Sequence, residues 1–348
     1  MAMNCDVLIV GGGIAGLSLA SELASSCSVV LVEAEQRLGY HTSSRSARQL
    51  IPSYGPAVVQ KLTRRTLELL DAQLPEVLKP RSFMLVGTHD DVAGRFSDDM
   101  EWLSHAEALE LGPQLRGESF EAAGIDRSAV GVDTDALLEY HRRRASDAGA
   151  QIFTGAGVHT AQQLGAGWSI GAGSHAFEAR IVVNAAGAWA DSLAVIAGVG
   201  IQGLRPYRRS AAVVRAENLP DDGAPMVAAA DESFYFRREG DDLLISPAES
   251  VPSVPEDAQP NVAEIQALIT RINALTTLGI TTVQRAWTGL RTQNASGVPV
   301  VGFDPEAQGF FWLAGQGGYG FQTSSGIAEL AAGIISGNTD AVPELQPS

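Results

Sequence analysis

Cysteine is scarce in this chain: among 348 residues only Cys5 and Cys27 occur. There is no C-x-x-C pair and no Cys/His cluster, which argues against a structural zinc centre, so no metal site is expected. So few thiols fit a reducing compartment. Basic residues are also short, with 24 Lys and Arg against 40 Asp and Glu and a net charge of −16. A general nucleic-acid binder needs a basic face, so no nucleic-acid partner is expected, and an anionic lipid surface is disfavoured. Solubility is enough to explain the acidity. No stretch reaches the roughly 18 consecutive apolar residues that a membrane span needs. The first residues lack the basic start of a signal peptide. The expected location is the cytoplasm, with a peripheral position at the inner face of the membrane as the alternative.

What the chain does have is 45% apolar and 18% charged residues, an ordinary globular balance. Its length suggests two domains, interleaved or in series. The most informative stretch runs from Asp6 to Glu33. Val7 to Val10 predict a strand buried on both faces. Gly11, Gly13 and Gly16 then fit G-x-G-x-x-G, Leu17 to Ala24 carry helical spacing, and Val29 to Val32 predict a second buried strand ending at Glu33. Gly11 permits the tight turn, Gly13 lets a pyrophosphate approach the backbone, and Gly16 lets helix and strand pack closely. The helix start offers free N–H groups and partial positive charge to phosphates, and Glu33 can accept from ribose hydroxyls. Strand, glycines, helix, strand and acid together predict a bound dinucleotide.

Residues 34–55 are rich in Gly, Ser, Thr and Arg and predict a long loop beside the ligand, with Ser44 and Ser46 as candidates to face it. Ala57 to Leu74 predict a helix whose apolar face (Val59, Leu62, Leu69, Leu70) is interrupted by Thr66. Phe83 to Val86 predict a strand and Trp102 to Leu111 a helix. Asp133-Thr134 is a good start for a helix through Ala145, and Arg142 to Arg144 suit its C-terminal dipole as a solvated end. Gln151 to Thr154 predict a strand, and Gly157 to Gln163, Trp168 to Gly171 and His175 to Ala179 a small meander. Ile181 to Asn184 predict a separate buried strand ending in small residues, where parallel sheets place ligands. Ser210 to Arg215, Ser233 to Arg237, Asp242 to Ser246 and Thr281 to Trp287 predict strands, and Ala263 to Leu275 a helix. Pro299 to Phe303 and Phe310 to Ala314 predict strands. A glycine loop follows, then a helix from about Phe321 to Ile335 whose start would also face the ligand. The tail after Pro343 is expected to be disordered.

These stretches resemble one family. GYH-x-x-x-RSA at 39–47, VDTDAL at 132–137, VNAAGAW at 183–189, RRSA at 208–211, DESFY at 231–235, W-x-GLR at 287–291 and QGGYG-x-QTS at 316–324 look like the FAD-dependent D-amino-acid oxidase and glycine oxidase (DAO-type) oxidoreductases. Within that family the resemblance is nearest to bacterial D-arginine dehydrogenase. It implies an α/β (α+β) fold: a Rossmann-like FAD-binding domain with parallel sheet and β-meander, and an interleaved antiparallel β-rich substrate domain. The implied division is 1–80, 135–205 and 292–348 for FAD, and 81–134 and 206–291 for substrate.

The resemblance implies non-covalent FAD, since covalent attachment through a C-terminal cysteine has no cysteine to use. The cofactor would lie on Gly11, Gly13, Ile14, Ala15, Gly16, Glu33 and Ala34; on the loop Arg45, Ser46, Ala47 and Arg48; on Val158 of the meander; and on Ala186, Gly187 and Trp189. Gly317, Gly318, Tyr319, Gly320, Phe321 and Gln322 would complete the flavin site. Arg291, Tyr235, Arg209 and Gly318 would hold the substrate, Arg291 gripping a carboxylate with two parallel bonds, and Tyr54 matches a tyrosine of the relative's active-site loop. Gln49 falls where the relative has a histidine and cannot titrate near neutral pH. Phe83 falls where the relative places an acid, so an uncharged substrate side chain is expected over D-arginine. The implied partners are a small amino acid and an electron acceptor: a quinone, another carrier or O2. The implied reaction is oxidative deamination of a D-amino acid, most simply by a dehydrogenase. The alternative is FAD-dependent oxidation of glycine, a sarcosine-like secondary amine or a 2-hydroxy acid. A non-catalytic flavin protein is the third reading.

Overall fold

The computed structural model describes residues 2–348. Its first sheet has eight strands. At its centre lie the parallel strands Met3–Val10, Val29–Val32, His175–Asn184 and Phe310–Ala314, with Gln151–Phe153 at one edge. Alternation splits their side chains between two cores. Val7, Ile9, Leu31, Val183 and Phe311 face the helices Ile14–Leu23 and Ser324–Ile335. Leu8, Val10, Val30, Val182 and Trp312 face the layer that holds the meander. Both faces are therefore covered, which is why the sequence reads as continuous apolar runs.

The meander strand and the buried strand expected as separate elements are one element, His175–Asn184. Its first half pairs antiparallel with Gly167–Ala172, and its second half pairs parallel with Phe310–Ala314. Arg180 interrupts the apolar pattern because that position lies outside both cores, not because the strand ends there.

The second sheet has nine strands, all drawn from residues 83–126 and 205–293. Its long pair is Arg205–Ala216 against Ile280–Gln293. The latter runs straight through Gly289 to Arg291 instead of stopping at Trp287. Tyr235–Glu239 and Asp242–Ser246 form a hairpin beside it. Met226–Ala229 is a further strand, pairing parallel with Phe83–Gly87. Its alanines carry little β propensity, so only burial between two neighbours makes it a strand. A three-stranded sheet of Gln49–Leu50, Val130–Val132 and Leu78–Pro80 ties the long loop to this half.

Other expectations need correction. Glu101–Leu103 is a strand, and the helix starts only at His105, where Ser104 and Glu107 form a reciprocal capping box. The last helix begins at Ser324, not Phe321, and its Gly326 N–H is satisfied by Thr66 Oγ1 at 3.0 Å. Thr66 thus does not break the apolar face of the Ala57–Gln73 helix; it is fully buried and bonds across the helix crossing. Arg142 and Arg143 pair with Glu139, while Arg144 reaches Glu22 on the first helix. The tail is ordered, with Pro343–Leu345 forming a turn and Leu345 entering the core at 1% exposure. One apolar side chain with a slot to fill outweighs a polar local composition.

Candidate active site

The first glycine turn is shaped by close backbone approach. Gly11 has φ +117°, and a Cβ there would lie 2.3 Å from the Ala185 carbonyl oxygen. A Cβ at Gly16 would lie 2.0 Å from the Gly11 carbonyl oxygen. Gly13 is the extended residue that starts the helix, and Ser43 Oγ accepts from Ile14 N–H just inside it at 3.0 Å. Ser43 was not expected from sequence, where the Thr-Ser-Ser run offers no spacing signal. Ser44 instead donates back to the Tyr40 carbonyl at 2.6 Å. Glu33 is held by Gly12 N–H at 2.6 Å and Glu35 N–H at 2.9 Å, which leaves further lone pairs for a ligand hydroxyl.

Two cavities, of about 220 and 270 Å³, meet along Gly13, Thr42, Ser43, Ala185 and Gly187. The second is lined by Gly11, Gly13, Glu33, Ala34, Val158, Ala186, Gly187 and Trp189. The first is lined by Ile14, Ala15, Arg45, Ser46, Ala47, Gly317, Gly318, Gly320, Phe321 and Gln322, and also by Gln49, Tyr54, Phe83, Arg209, Tyr235 and Arg291. Of the expected cofactor residues, Gly16, Arg48 and Tyr319 line neither. Gly16 serves packing, and Arg48 turns away to Asp135 at 2.6 Å. Tyr319 packs against Tyr54 at a 56° tilt, with ring centroids 5.3 Å apart. Burial and the neighbouring Tyr54 push its phenol up to about 12, so it stays a donor. The second glycine loop meets the cavity as a turn, because the helix after it starts too late to present its own end.

Small residues keep the joint between the cavities open. Gly187, at φ +55°, has no atom within 4 Å of where a Cβ would sit. An elongated cleft, with a helix start and a fixed acid at one end, fits an extended dinucleotide. The loop over it is fastened to the second sheet: Arg45 pairs with Asp257 and donates to Thr288 O at 2.7 Å, and Thr42 donates to Leu290 O at 3.0 Å.

At the other end two guanidiniums face the same cavity. Arg291 and Arg209 lie on the paired strands Ile280–Gln293 and Arg205–Ala216. Neither forms an ion pair among the described residues. Burial pulls Arg209 down, and the adjacent Arg291 charge adds to that. Burial would pull Arg291 down too, but the Tyr54 and Tyr235 hydroxyls outweigh it and raise it. Glu249, the carboxylate beside Arg209, accepts from Ser210 N–H at 2.6 Å, and burial pushes it up. Gly318 makes room for the inner guanidinium: a Cβ there would lie 2.8 Å from Arg291 Nη1. Gln49 donates through Nε2 to the Arg81 carbonyl at 2.8 Å. Ile51, Phe83, Met226 and Ala228 supply an apolar wall.

A family profile described as DAO, FAD dependent oxidoreductase, matches residues 6–334. The chain belongs to this family. It is therefore an FAD-dependent oxidoreductase, and FAD is the dinucleotide that the cleft fits. This DAO-family chain is 26% identical to a glycine oxidase of Geobacillus kaustophilus, over 96% of this chain and 94% of that protein. The crystal structure of glycine oxidase from the same organism matches with a TM-score of 0.87 at 24% identity, covering 100% of this chain and 99% of the other. L-proline dehydrogenase from P. horikoshii matches with a TM-score of 0.86 at 20% identity, over 99% and 96%. Among the described residues no helix is long and apolar enough to cross a membrane, and no cluster of His, Cys, Asp and Glu could hold a metal ion.

Proposed function

We propose that the protein is a D-amino-acid dehydrogenase that deaminates substrates with uncharged side chains to 2-oxo acids and ammonia. Residues 1–80, 135–205 and 292–348 would form its FAD-binding unit, and 81–134 and 206–291 its substrate-binding unit. The observation that carries this reading is the pair Arg209 and Arg291, two guanidiniums in one cavity, neither in an ion pair among the described residues, with only Glu249 beside Arg209. A substrate carboxylate would complete them, Arg291 offering a bidentate fork. Tyr54 and Tyr235 stand beside that fork and would donate to the same carboxylate.

FAD would be held by the Gly11–Gly16 turn, Glu33, the Gly187 strip and the Gly317–Gln322 turn; when bound it supplies the hydride acceptor. The chain's own work is positional. Arg291 sets the distance of the substrate Cα, and Gly318 leaves that guanidinium its place. The apolar wall of Ile51, Phe83 and Met226 excludes water and suits an uncharged side chain. A cationic side chain there would lie unpaired. Gln49 orients by hydrogen bonding and does not exchange protons near neutral pH.

The similarity to a glycine oxidase favours one alternative, oxidation of glycine or a secondary amine, both of which also present a carboxylate. Oxygen-free mixing with D-methionine, D-leucine, D-arginine, their L-forms, glycine, sarcosine and a 2-hydroxy acid separates these readings. Bleaching of the flavin fastest by D-methionine or D-leucine is expected. D-Arginine bleaching as fast as these would overturn the side-chain assignment. Faster bleaching by glycine or sarcosine would favour the alternative. Measuring peroxide against reduction of an artificial acceptor distinguishes oxidase from dehydrogenase.

A further inference from the structure

We infer that the far end of the substrate-facing sheet carries a second anion site, around Glu239, that takes a phosphate-type oxyanion. Along Ile280–Gln293 the side chains of Arg285, Trp287 and Arg291 share one face, as do Tyr235, Arg237 and Glu239 along the hairpin strand. Six residues of strand separate Arg285 from Arg291, about 20 Å, so the two anion sites are distinct.

Four guanidiniums crowd Glu239. Arg237 lies at 2.5 Å, Arg48 at 3.8 Å and Arg285 at 4.0 Å, and the Arg81 charge also acts on it. Asp135, on Arg48, is the one other carboxylate in an ion pair with any of the four among the described residues; Asp242, opposite Glu239 on the hairpin, is paired with Arg215 instead, and the Asp222 charge also acts on Arg81. This excess of positive charge stands out in a chain of net charge −16. Arg237 is 1% exposed, and its Nη2 has no hydrogen-bond partner. Like charges packed together are relieved by an added anion, met first by the exposed guanidiniums of the cluster. A phosphate offers oxygens to several guanidinium forks at once, whereas a carboxylate offers two. The cluster is reachable, with Arg285 61% and Arg48 31% exposed.

Occupancy would be felt at the flavin loop. Arg237 Nε donates to the Ala47 carbonyl at 2.9 Å, Arg48 is itself in the loop with φ 57°, and Gln49 hangs from the Arg81 carbonyl. Arg285 also lies over the Trp287 ring at 5.2 Å. An anion that draws the guanidinium away would change indole fluorescence.

The test is calorimetric and fluorescence titration of the FAD-loaded protein with inorganic phosphate and with pyrophosphate, against sodium chloride at matched ionic strength. Saturable heat and a fluorescence change are expected with the phosphates and not with chloride. Affinity should fall about tenfold in Arg285→Gln, an exposed position where folding is not at stake, and similarly in Arg81→Gln. Trp287→Phe should lose the fluorescence change and keep the heat. No saturable heat in the parent protein, or unchanged affinity in both Gln variants, would overturn the proposal. Sedimentation with phosphatidylglycerol vesicles, abolished by Arg285→Gln and unaccompanied by binding of free phosphate, would overturn it too by assigning the site to lipid headgroups. None of these readouts requires turnover, so they stand apart from the substrate assignment.

Discussion

Single residues decide whether the two guanidiniums are usable. Gly318 is the sharpest case, because a methyl group there would lie 2.8 Å from Arg291 Nη1 and must push it aside. Gly318→Ala is expected to weaken binding of a simple carboxylate such as propionate, read by perturbation of flavin absorbance, by about tenfold or more, as loss of a charge-assisted pair would. FAD content should stay near normal. The opposite split is expected at Gly11. A side chain there meets the Ala185 carbonyl oxygen at 2.3 Å and would be strained at φ +117°. Gly11→Ala should be isolated largely without flavin, and full yellow protein from that variant would refute the tight turn. Glycine in both places was legible as a motif. That the second motif's glycine serves an arginine 27 positions earlier in the chain was not legible, since contact between loop and strand is set by packing.

At the scale of elements, the helices depend on two buried polar contacts. Gly326 lets the last helix cross Ala57–Gln73, with its missing Cβ only 2.7 Å from the Leu62 carbonyl oxygen. Gly326→Ala should cost about 1–3 kcal/mol by overpacking, measurable by urea unfolding. The second contact joins the first helix to Thr134–Asp147. Ser21 donates to the Ser18 carbonyl, so His141 Nδ1–H donates to Ser21 Oγ at 2.9 Å and Nε2 is bare. Burial pulls this histidine from 6.5 down to about 3. Its folded pKa lies below its unfolded value, so the unfolded chain takes up the proton first. Stability is complete above about pH 6.5 and is lost progressively as pH falls toward 3. His141→Asn should show a shallower loss of thermal stability between pH 6.5 and 4 than the parent, and equal slopes would count against a neutral buried imidazole. The helices themselves were readable from apolar spacing and caps. The role of Thr66 and the start of the His105–Leu111 helix were not legible, because a buried hydroxyl and a strand just ahead of a cap have no signature in periodicity.

Across the whole molecule, two sheets with separate cores meet over one cleft, and the loop carrying Arg45 bridges them through Asp257 and Thr288. FAD seated in that cleft binds only the folded form. Stripping the flavin should therefore lower the melting temperature. Restoring FAD to about 100 times its Kd should return about 2.7 kcal/mol of stability. A melting temperature indifferent to FAD would show that the cleft is not the cofactor's. By itself the sequence determined the parallel core and the first glycine turn. Continuous apolar runs, glycine spacing and a terminal acid are local properties that any folded context must respect. It also placed Arg291 and Arg209, through the family resemblance, as candidates to hold a carboxylate. Only the tertiary structure decided that these two stand together without an ion pair to either, that Arg48 faces outward to Asp135, and that His175–Asn184 is one strand serving two pairings. Those outcomes follow from which surfaces exclude water from one another, and strands and loops far apart in the chain settle that jointly.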